Sequence, residues 1–85
     1  MITLVLGVKL IMHEKTYKKY RLTLSTNIKK YRKDLGLAQE KLALEASVDR
    51  TLVSKIERQI ANPSLEILIR LSLVLKVSVS DLLSE

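Results

Sequence analysis

Residues 48–58, VDRTLVSKIER, constrain the fold of this chain most, because they divide into two faces at helical spacing. The apolar residues fall on one stripe of a helix: Val48, Leu52, Val53 and Ile56. The polar residues fall on the other side: Arg50, Thr51, Ser54, Lys55 and Arg58. The segment therefore predicts a short helix, over about 50–58, that buries one side in a core. Its other side offers guanidinium, hydroxyl and ammonium groups to a partner.

Apolar and aromatic residues at helical spacing also occur before this segment. A stripe with steps of three and four runs from Tyr17 to Leu35 and ends at Gly36, a residue suited to the end of a helix. Either one helix from about Glu14 or two helices that meet near Ser25 explains it, because three successive residues there can cap a new helix: Ser25, Thr26 and Asn27. A short helix is expected next, from about Gln39 to Ala46.

After the turn at residues 47–49, Asp49 is the expected N-cap of the polar-faced helix. Pro63, with Asn62 and Ser64 on either side, marks the start of an apolar helix over 65–75. A last helical turn is expected from Ser80. The predicted fold class is therefore all-α, a compact five-helix bundle with an N-terminal extension.

The first twelve residues, MITLVLGVKLIM, follow a different pattern. Every even position from Ile2 to Met12 is apolar, and we expect a β-strand there that pairs with a two-fold mate. The run is too short to span a bilayer, and it lacks the leading positive charge and small residues of a signal peptide. An apolar leader upstream of a natural start at Met12 is the alternative. The expected domains are an extension over 1–23 and a helical domain over 24–83.

Charge narrows the class of partner. The chain has a formal net charge of +6, and residues 13–33 hold eight cations against one anion, Glu14. A polarised basic half is typical of proteins that bind nucleic acid or an anionic membrane surface. The chain has no cysteine and one histidine, His13, so we expect no metal site, no cofactor and no enzymatic activity. The lack of cysteine fits a cytoplasmic location.

From residue 24 to 83 the sequence resembles the Cro and phage-repressor type of helix-turn-helix family. The resemblance is carried by the Gln-x-x-Leu-Ala that starts at Gln39, by Val48 in the turn, by Ile-Glu-Arg at 56–58 and by Pro63-Ser64. Within that family, DRTLVSKIER is most similar to the controller proteins of restriction–modification systems. Ser47 and Gln59 stand where the family usually has glycine, and each is expected to carry about 1 kcal/mol of strain if its φ is positive.

The resemblance implies a sequence-specific regulator that binds double-stranded DNA. It places four residues against bases in the major groove: Arg50, Thr51, Ser54 and Lys55. A plain solvent-exposed face is the alternative for Thr51 and Ser54. Three residues are expected on phosphates: Gln39, Arg58 and Asn62. Arg32 and Glu57 are implied as a partly buried structural ion pair.

A homodimer on a palindromic operator is expected, because one short helix gives modest affinity. The helix over 65–75 is apolar nearly all round, and the expected dimer contact is Ile69, Leu73, Val77 and Val79. Two other functions stay open: an antitoxin of the same fold that binds a toxin, and a membrane-surface binder. A contact with RNA polymerase also stays open.

Overall fold

The computed structural model describes residues 2–85, and the side chains of residues 7–85. Within that range the chain is all-helical, which confirms the predicted fold class. The five helices are α1 (Ile2–Asp34), α2 (Gln39–Glu45), α3 (Leu52–Glu57), α4 (Leu65–Leu75) and α5 (Val79–Leu82). The molecule is elongated, with principal extents of 52 × 23 × 19 Å, because the N-terminal part of α1 projects from the bundle.

The predicted strand over residues 2–12 is wrong, because these residues continue α1 without a break. A helix forms its own i to i−4 backbone hydrogen bonds, so the segment needs no pairing strand. The even-position pattern misled because nearly every residue there is apolar, including Val5 and Ile11 at odd positions. Such a run carries little information about period.

The structure has one helix before Gly36, not two, because α1 continues through residues 25–27 without a break. Ser25 does not cap a new helix, and its hydroxyl instead donates to the backbone oxygen of Glu57 at 2.6 Å. Asn27 donates its amide N–H groups to backbone oxygens at the C-terminus, at 3.0 Å to Leu82 and 2.7 Å to Ser84. Both side chains therefore tie α1 to other elements. The expected domain boundary at residue 23 falls inside this helix and stays a prediction.

A single core holds the second half of α1 against the other four helices. It is made of aliphatic residues from all five helices and Ala46 beside α2: Leu24, Ile28, Leu42, Ala43, Ala46, Val53, Ile56, Leu68, Leu71, Leu75 and Leu82. The short helices α2 and α3 are too short to be stable alone, so their burial in this core holds them in place. The core thereby fixes which side of α3 faces solvent.

Turns and caps set the ends of the shorter helices. Ser64 caps α4 by accepting from the backbone N–H of Ile67 at 3.2 Å. Ser78 and Asp81 form a reciprocal capping box at α5, and the hydrogen bonds donated by Ser78 lower the pKa of the Asp81 carboxyl. Ser47 and Gln59 have φ of 55° and 64°, so both take the left-handed conformation that the family usually gives to glycine.

Candidate DNA-binding site

The exposed side of α3 carries the polar residues that the sequence singled out. Thr51, Ser54, Lys55 and Arg58 follow one another at i, i+3, i+4 and i+7, which places them on one face. Lys55 and Arg58 are exposed and Ser54 is half-buried. On the opposite face Val53, Ile56 and Glu57 are buried. The helix is therefore anchored by one side while a continuous polar strip is open on the other.

The start of this helix differs from the expectation. The helix begins at Leu52, and Thr51, not Asp49, occupies the N-cap position. Asp49 acts two residues earlier, where one carboxylate oxygen accepts from both the N–H and the hydroxyl of Thr51 at 2.9 Å. These two hydrogen bonds lower the pKa of the Asp49 carboxyl. The prediction of Asp49 as N-cap failed because its side chain instead closes a local turn, a common alternative for aspartate.

Arg50 lies in the turn that leads into α3 and extends into solvent. Its side chain is 78% exposed, and its only ion pair within the described residues is a 3.8 Å contact with Glu40, which is equally exposed. An exposed pair at that distance contributes little, about 0–1 kcal/mol. The guanidinium is therefore free to exchange this contact for a stronger one.

Behind the helix, Glu57 and Arg32 form a bidentate pair, with Nε–Oε2 at 2.7 Å and Nη2–Oε1 at 2.9 Å. Their side chains are only 2% and 11% exposed. Gln39 donates to Glu57 Oε1 at 3.1 Å, and Arg32 also donates to the Leu37 oxygen. Burial raises the pKa of Glu57, but the hydrogen bonds from Arg32 and Gln39 outweigh it, so the pKa lies below its usual range. This network fixes α3 against α1 and α2.

The three residues predicted to contact phosphates lie in different settings. Gln39 is half-buried at the start of α2, and its bond to Glu57 holds it near the C-terminal end of α3. Arg58 and Asn62 are exposed, and the Arg58 Nε makes only a 3.4 Å contact with the Ser54 oxygen. Gln39 and Arg58 therefore both lie near the C-terminal end of α3. Asn62 lies in the loop that leads to α4.

Sequence reasoning missed three side chains that position this surface. Arg21 donates to the backbone oxygen of Gln59 at 2.9 Å, just beyond α3, and Ser25 donates to Glu57 as described above. Arg70 donates to the oxygen of Ser47 in the turn between α2 and α3, at 2.9 Å, while holding Glu66 at 2.7 Å. These partners are 23 to 38 residues apart in sequence. A local sequence pattern cannot predict a contact between residues so far apart in the chain.

The predicted dimer contact divides into two kinds of residue. Ile69 and Leu73 on α4 are exposed, Leu73 by 73%, whereas Val77 and Val79 are partly buried against the chain's own core. Leu65 is also exposed and lies four residues before Ile69, so α4 carries an open apolar stripe of three residues. The predicted contact did not include Leu65.

Within residues 2–85, no three histidine, cysteine, aspartate or glutamate side chains are grouped closely enough to hold a metal ion. In the same range, no helix combines the length and the apolar character that crossing a bilayer requires.

Two short helices joined by a turn, the second open to solvent along its polar side, are the arrangement by which helix-turn-helix domains reach the major groove. The architecture therefore defines a DNA-binding module. The comparison with known families agrees, because a helix-turn-helix family model matches residues 28–82, and the chain belongs to this family. This membership makes the domain a binding module rather than an enzyme.

Among characterised proteins, the HTH-type transcriptional regulator SinR of Bacillus subtilis (strain 168) is 46% identical over 59 residues. The match covers 68% of this chain and 53% of SinR, so the chain spans about half the length of the curated relatives it matches. SinR of Bacillus licheniformis matches over the same shares.

Solved structures give the same fold. SinR in complex with DNA superimposes with a TM-score of 0.69 at 42% identity, covering 72% of this chain and 98% of that one. The restriction–modification controller protein C.AhdI from Aeromonas hydrophila gives a TM-score of 0.70 at 29% identity, covering 73% and 94%. These likenesses support the family resemblance and the controller-protein subgroup. The matches leave about a quarter of this chain uncovered.

Proposed function

We propose that the protein is a transcriptional regulator that binds double-stranded DNA in a sequence-specific way as a homodimer on a palindromic operator. The observation that carries the proposal is the polar strip of α3, with Arg50 before it, on a helix whose other side is locked by the core and by the Arg32–Glu57 pair. The relative SinR is named a transcriptional regulator and has been solved with DNA. These facts support the proposal for this chain.

In the proposed mode, α3 enters the major groove and the turn before it brings Arg50 to a base edge. A bidentate contact of Arg50 with guanine contributes about 1–3 kcal/mol of discrimination. Thr51 and Ser54 offer hydroxyls at close approach, and Lys55 reaches one turn further along the groove. These four residues read the sequence in this proposal.

Phosphate contacts fix the register without reading sequence. Gln39, Arg58 and Asn62 supply them here, at the C-terminal end of α3 and in the loop that leads to α4. The exposed lysines of α1 add longer-range attraction to the polyanion. Pairing through Ile69 and Leu73, with Val77 and Val79 at the edge, presents two copies of α3 to two half-sites.

A fluorescence anisotropy titration of the full chain against operator candidates tests the proposal. With about six phosphates neutralised per complex, log K should fall against log salt with a slope near −5. Affinity that does not change between low and physiological salt contradicts the docking mode.

Two variants separate the roles of the residues. Arg50→Ala should lose discrimination at one base pair of each half-site, by about 1–3 kcal/mol. Gln39→Ala should weaken binding to all duplexes about equally. Lys76→Asn is the matched control, because it removes an exposed cation at the C-terminal end of α4, outside the predicted DNA contacts, and keeps a residue type that tolerates the left-handed φ of 62° found there. If Arg50→Ala ranks operator variants as the parent does, Arg50 does not read a base.

The runner-up is an antitoxin of the same fold that binds a toxin and controls its own operon. The observation in its favour is the exposed apolar part of α1, where Leu10, Ile11 and Met12 are each more than half exposed. A toxin gene beside this one, and a stable complex of the two purified proteins, would favour it. A chain that binds its operator without a second protein favours the regulator.

A further inference from the structure

The N-terminal part of α1 carries an apolar face that is largely exposed to solvent. Leu10, His13, Tyr17 and Tyr20, here called the tyrosine face, continue the α1 stripe that further along buries Leu24 and Ile28, at about 100° per residue. Three of the four are exposed large apolar residues, Leu10 by 64%. The rings of His13 and Tyr17 stack at 6.3 Å, and the Arg21 guanidinium lies 4.6 Å from the Tyr17 ring centre.

Where α1 meets the bundle, this face opens into a cleft of about 340 Å³. Its walls come from three parts of the chain: Tyr17, Tyr20, Arg21 and Leu24 of α1, Asn62, Pro63 and Leu68 around the start of α4, and Leu83. A second, shallower groove continues from it along α1, as far as Lys9 and Met12. The apolar surface is therefore a continuous track between the bundle and the N-terminal end of the helix.

The chain itself contains a segment of the right chemistry for this track. Residues 2–12 include eight aliphatic or methionine side chains and one charge, Lys9. They cannot fold back onto their own cleft, because α1 is one uninterrupted helix that carries them away from the bundle. A helix that is apolar all round is expected to be buried on more than one side. The same segment of a second copy can reach the cleft.

We propose that α1 pairs antiparallel with α1 of a second copy, so that residues 2–12 of each chain lie on the tyrosine face and in the cleft of the other. This inference rests on the proposed homodimer and places its contact on α1 in place of Ile69 and Leu73, because the two bundles of such a pair lie at opposite ends. The pairing is centred near residue 15, which sets Leu10 opposite Tyr20 of the second copy and His13 opposite Tyr17. Each exposed apolar residue of the face thereby gains a partner.

Sterics decide the direction of the pair. The tyrosine face and the bundle lie on the same side of α1, because Leu24 and Ile28 on that side are buried in the core. In a parallel pair, the two bundles would compete for the same space at one end. In an antiparallel pair, they lie at opposite ends, and each meets the apolar end of the other helix.

Most cations of this part of α1 lie away from the pairing face. Lys15, Lys18 and Lys19 lie on the far side of the helix from Tyr17 and Tyr20 at helical spacing, so the cations nearest the pairing face are Arg21, over the Tyr17 ring, and Lys9. Lys19 is paired there with Glu85 at 3.1 Å.

Cysteine cross-linking of the full chain tests the register, because the chain has no cysteine of its own. A disulfide needs Cα atoms within about 7 Å. In the proposed register, residue 10 faces residue 20, whereas the two copies of residue 10 are about 15 Å apart along the pair, as are those of residue 20. Mixed Leu10→Cys and Tyr20→Cys chains should therefore form a linked heterodimer on oxidation. Neither variant alone should link.

Sedimentation of charge variants tests the face. Leu10→Glu should raise the dimer dissociation constant at least tenfold. Val8→Glu is the matched control, because Val8 is similarly exposed, at 51%, and lies on the far side of the same helix. It should change the constant less than threefold. Circular dichroism of both variants checks that α1 stays helical.

Three results overturn the pairing: efficient linking of Tyr20→Cys chains alone, equal dissociation constants for the Glu variants, and a monomer that instead sediments with anionic phospholipid vesicles. The DNA-binding proposal is tested by a separate measurement. If it is wrong, the parent chain binds all duplexes with the same affinity, while the cross-linking pattern is still the one expected for the α1 pair.

Discussion

Replacing Arg32 with methionine should destabilise the domain severely, because Glu57 would remain as an unpaired carboxylate in the core. The Glu57 side chain is 2% exposed and receives two hydrogen bonds from Arg32 and one from Gln39. Removing one partner of a buried pair costs about 3–5 kcal/mol. A small domain has a total stability of about 5–15 kcal/mol, so the loss is a large part of it.

The assay is urea unfolding followed by circular dichroism, with the double variant Arg32→Met/Glu57→Leu beside the single one. Replacing both charges by apolar groups of similar size is often neutral, so the double variant should be more stable than Arg32→Met alone. Glu66→Gln is the control, because the Glu66–Arg70 pair has the same 2.7 Å separation but is exposed. It should cost about 0–1 kcal/mol. A loss below about 1 kcal/mol for Arg32→Met would refute the argument that burial makes this pair important.

Two further predictions concern pH and backbone strain. The folded pKa of Glu57 lies below its ordinary value of 4.5, so its contribution to stability is complete above that pH and is lost as the pH falls through the lower folded pKa. The unfolding free energy should therefore fall more steeply on acidification for the parent than for Glu57→Gln, as urea titrations at several pH values would show; parallel curves would contradict this. Ser47→Gly and Gln59→Gly should each raise the unfolding free energy by roughly 0.5–1 kcal/mol, because glycine takes a positive φ without the steric cost. Thermal unfolding of each variant measures this gain in stability. A lowered midpoint would show that the lost side-chain contacts stabilise the fold by more than the relief of backbone strain does.

The parts of the fold that sequence could predict are those with a local cause. The period of the apolar residues in 48–58 gave the buried and the exposed side of α3, because side-chain direction in a helix depends only on spacing. The positive φ at Ser47 and Gln59 was anticipated from the family resemblance, because the family usually has glycine at both positions. Helix bounds were less accurate: α3 begins at Leu52, two residues after the expected start.

Side-chain contacts between residues far apart in the sequence could not be predicted from local patterns. Ser25 looked like a cap because serine caps helices, yet it is buried against the end of α3. Arg21 was counted among surface cations, whereas its guanidinium bonds to Gln59 and lies over Tyr17. The Arg32–Glu57 pair was reached through family resemblance alone. Residue type fixes what a side chain can bond to, and only packing decides which partner comes within reach.

The continuity of α1 connects the two proposed surfaces mechanically. Arg21, Ser25 and Arg32 all bond to the C-terminal part of α3 or to the residue just after it, so α3 is fixed relative to the long helix. In an antiparallel pair centred at residue 15, the two copies of Leu24 are about 27 Å apart along the axis, and those of Ile28 about 39 Å. Because α1 has no hinge between the tyrosine face and Arg32, pairing of the helices would set the spacing at which two copies of α3 meet DNA.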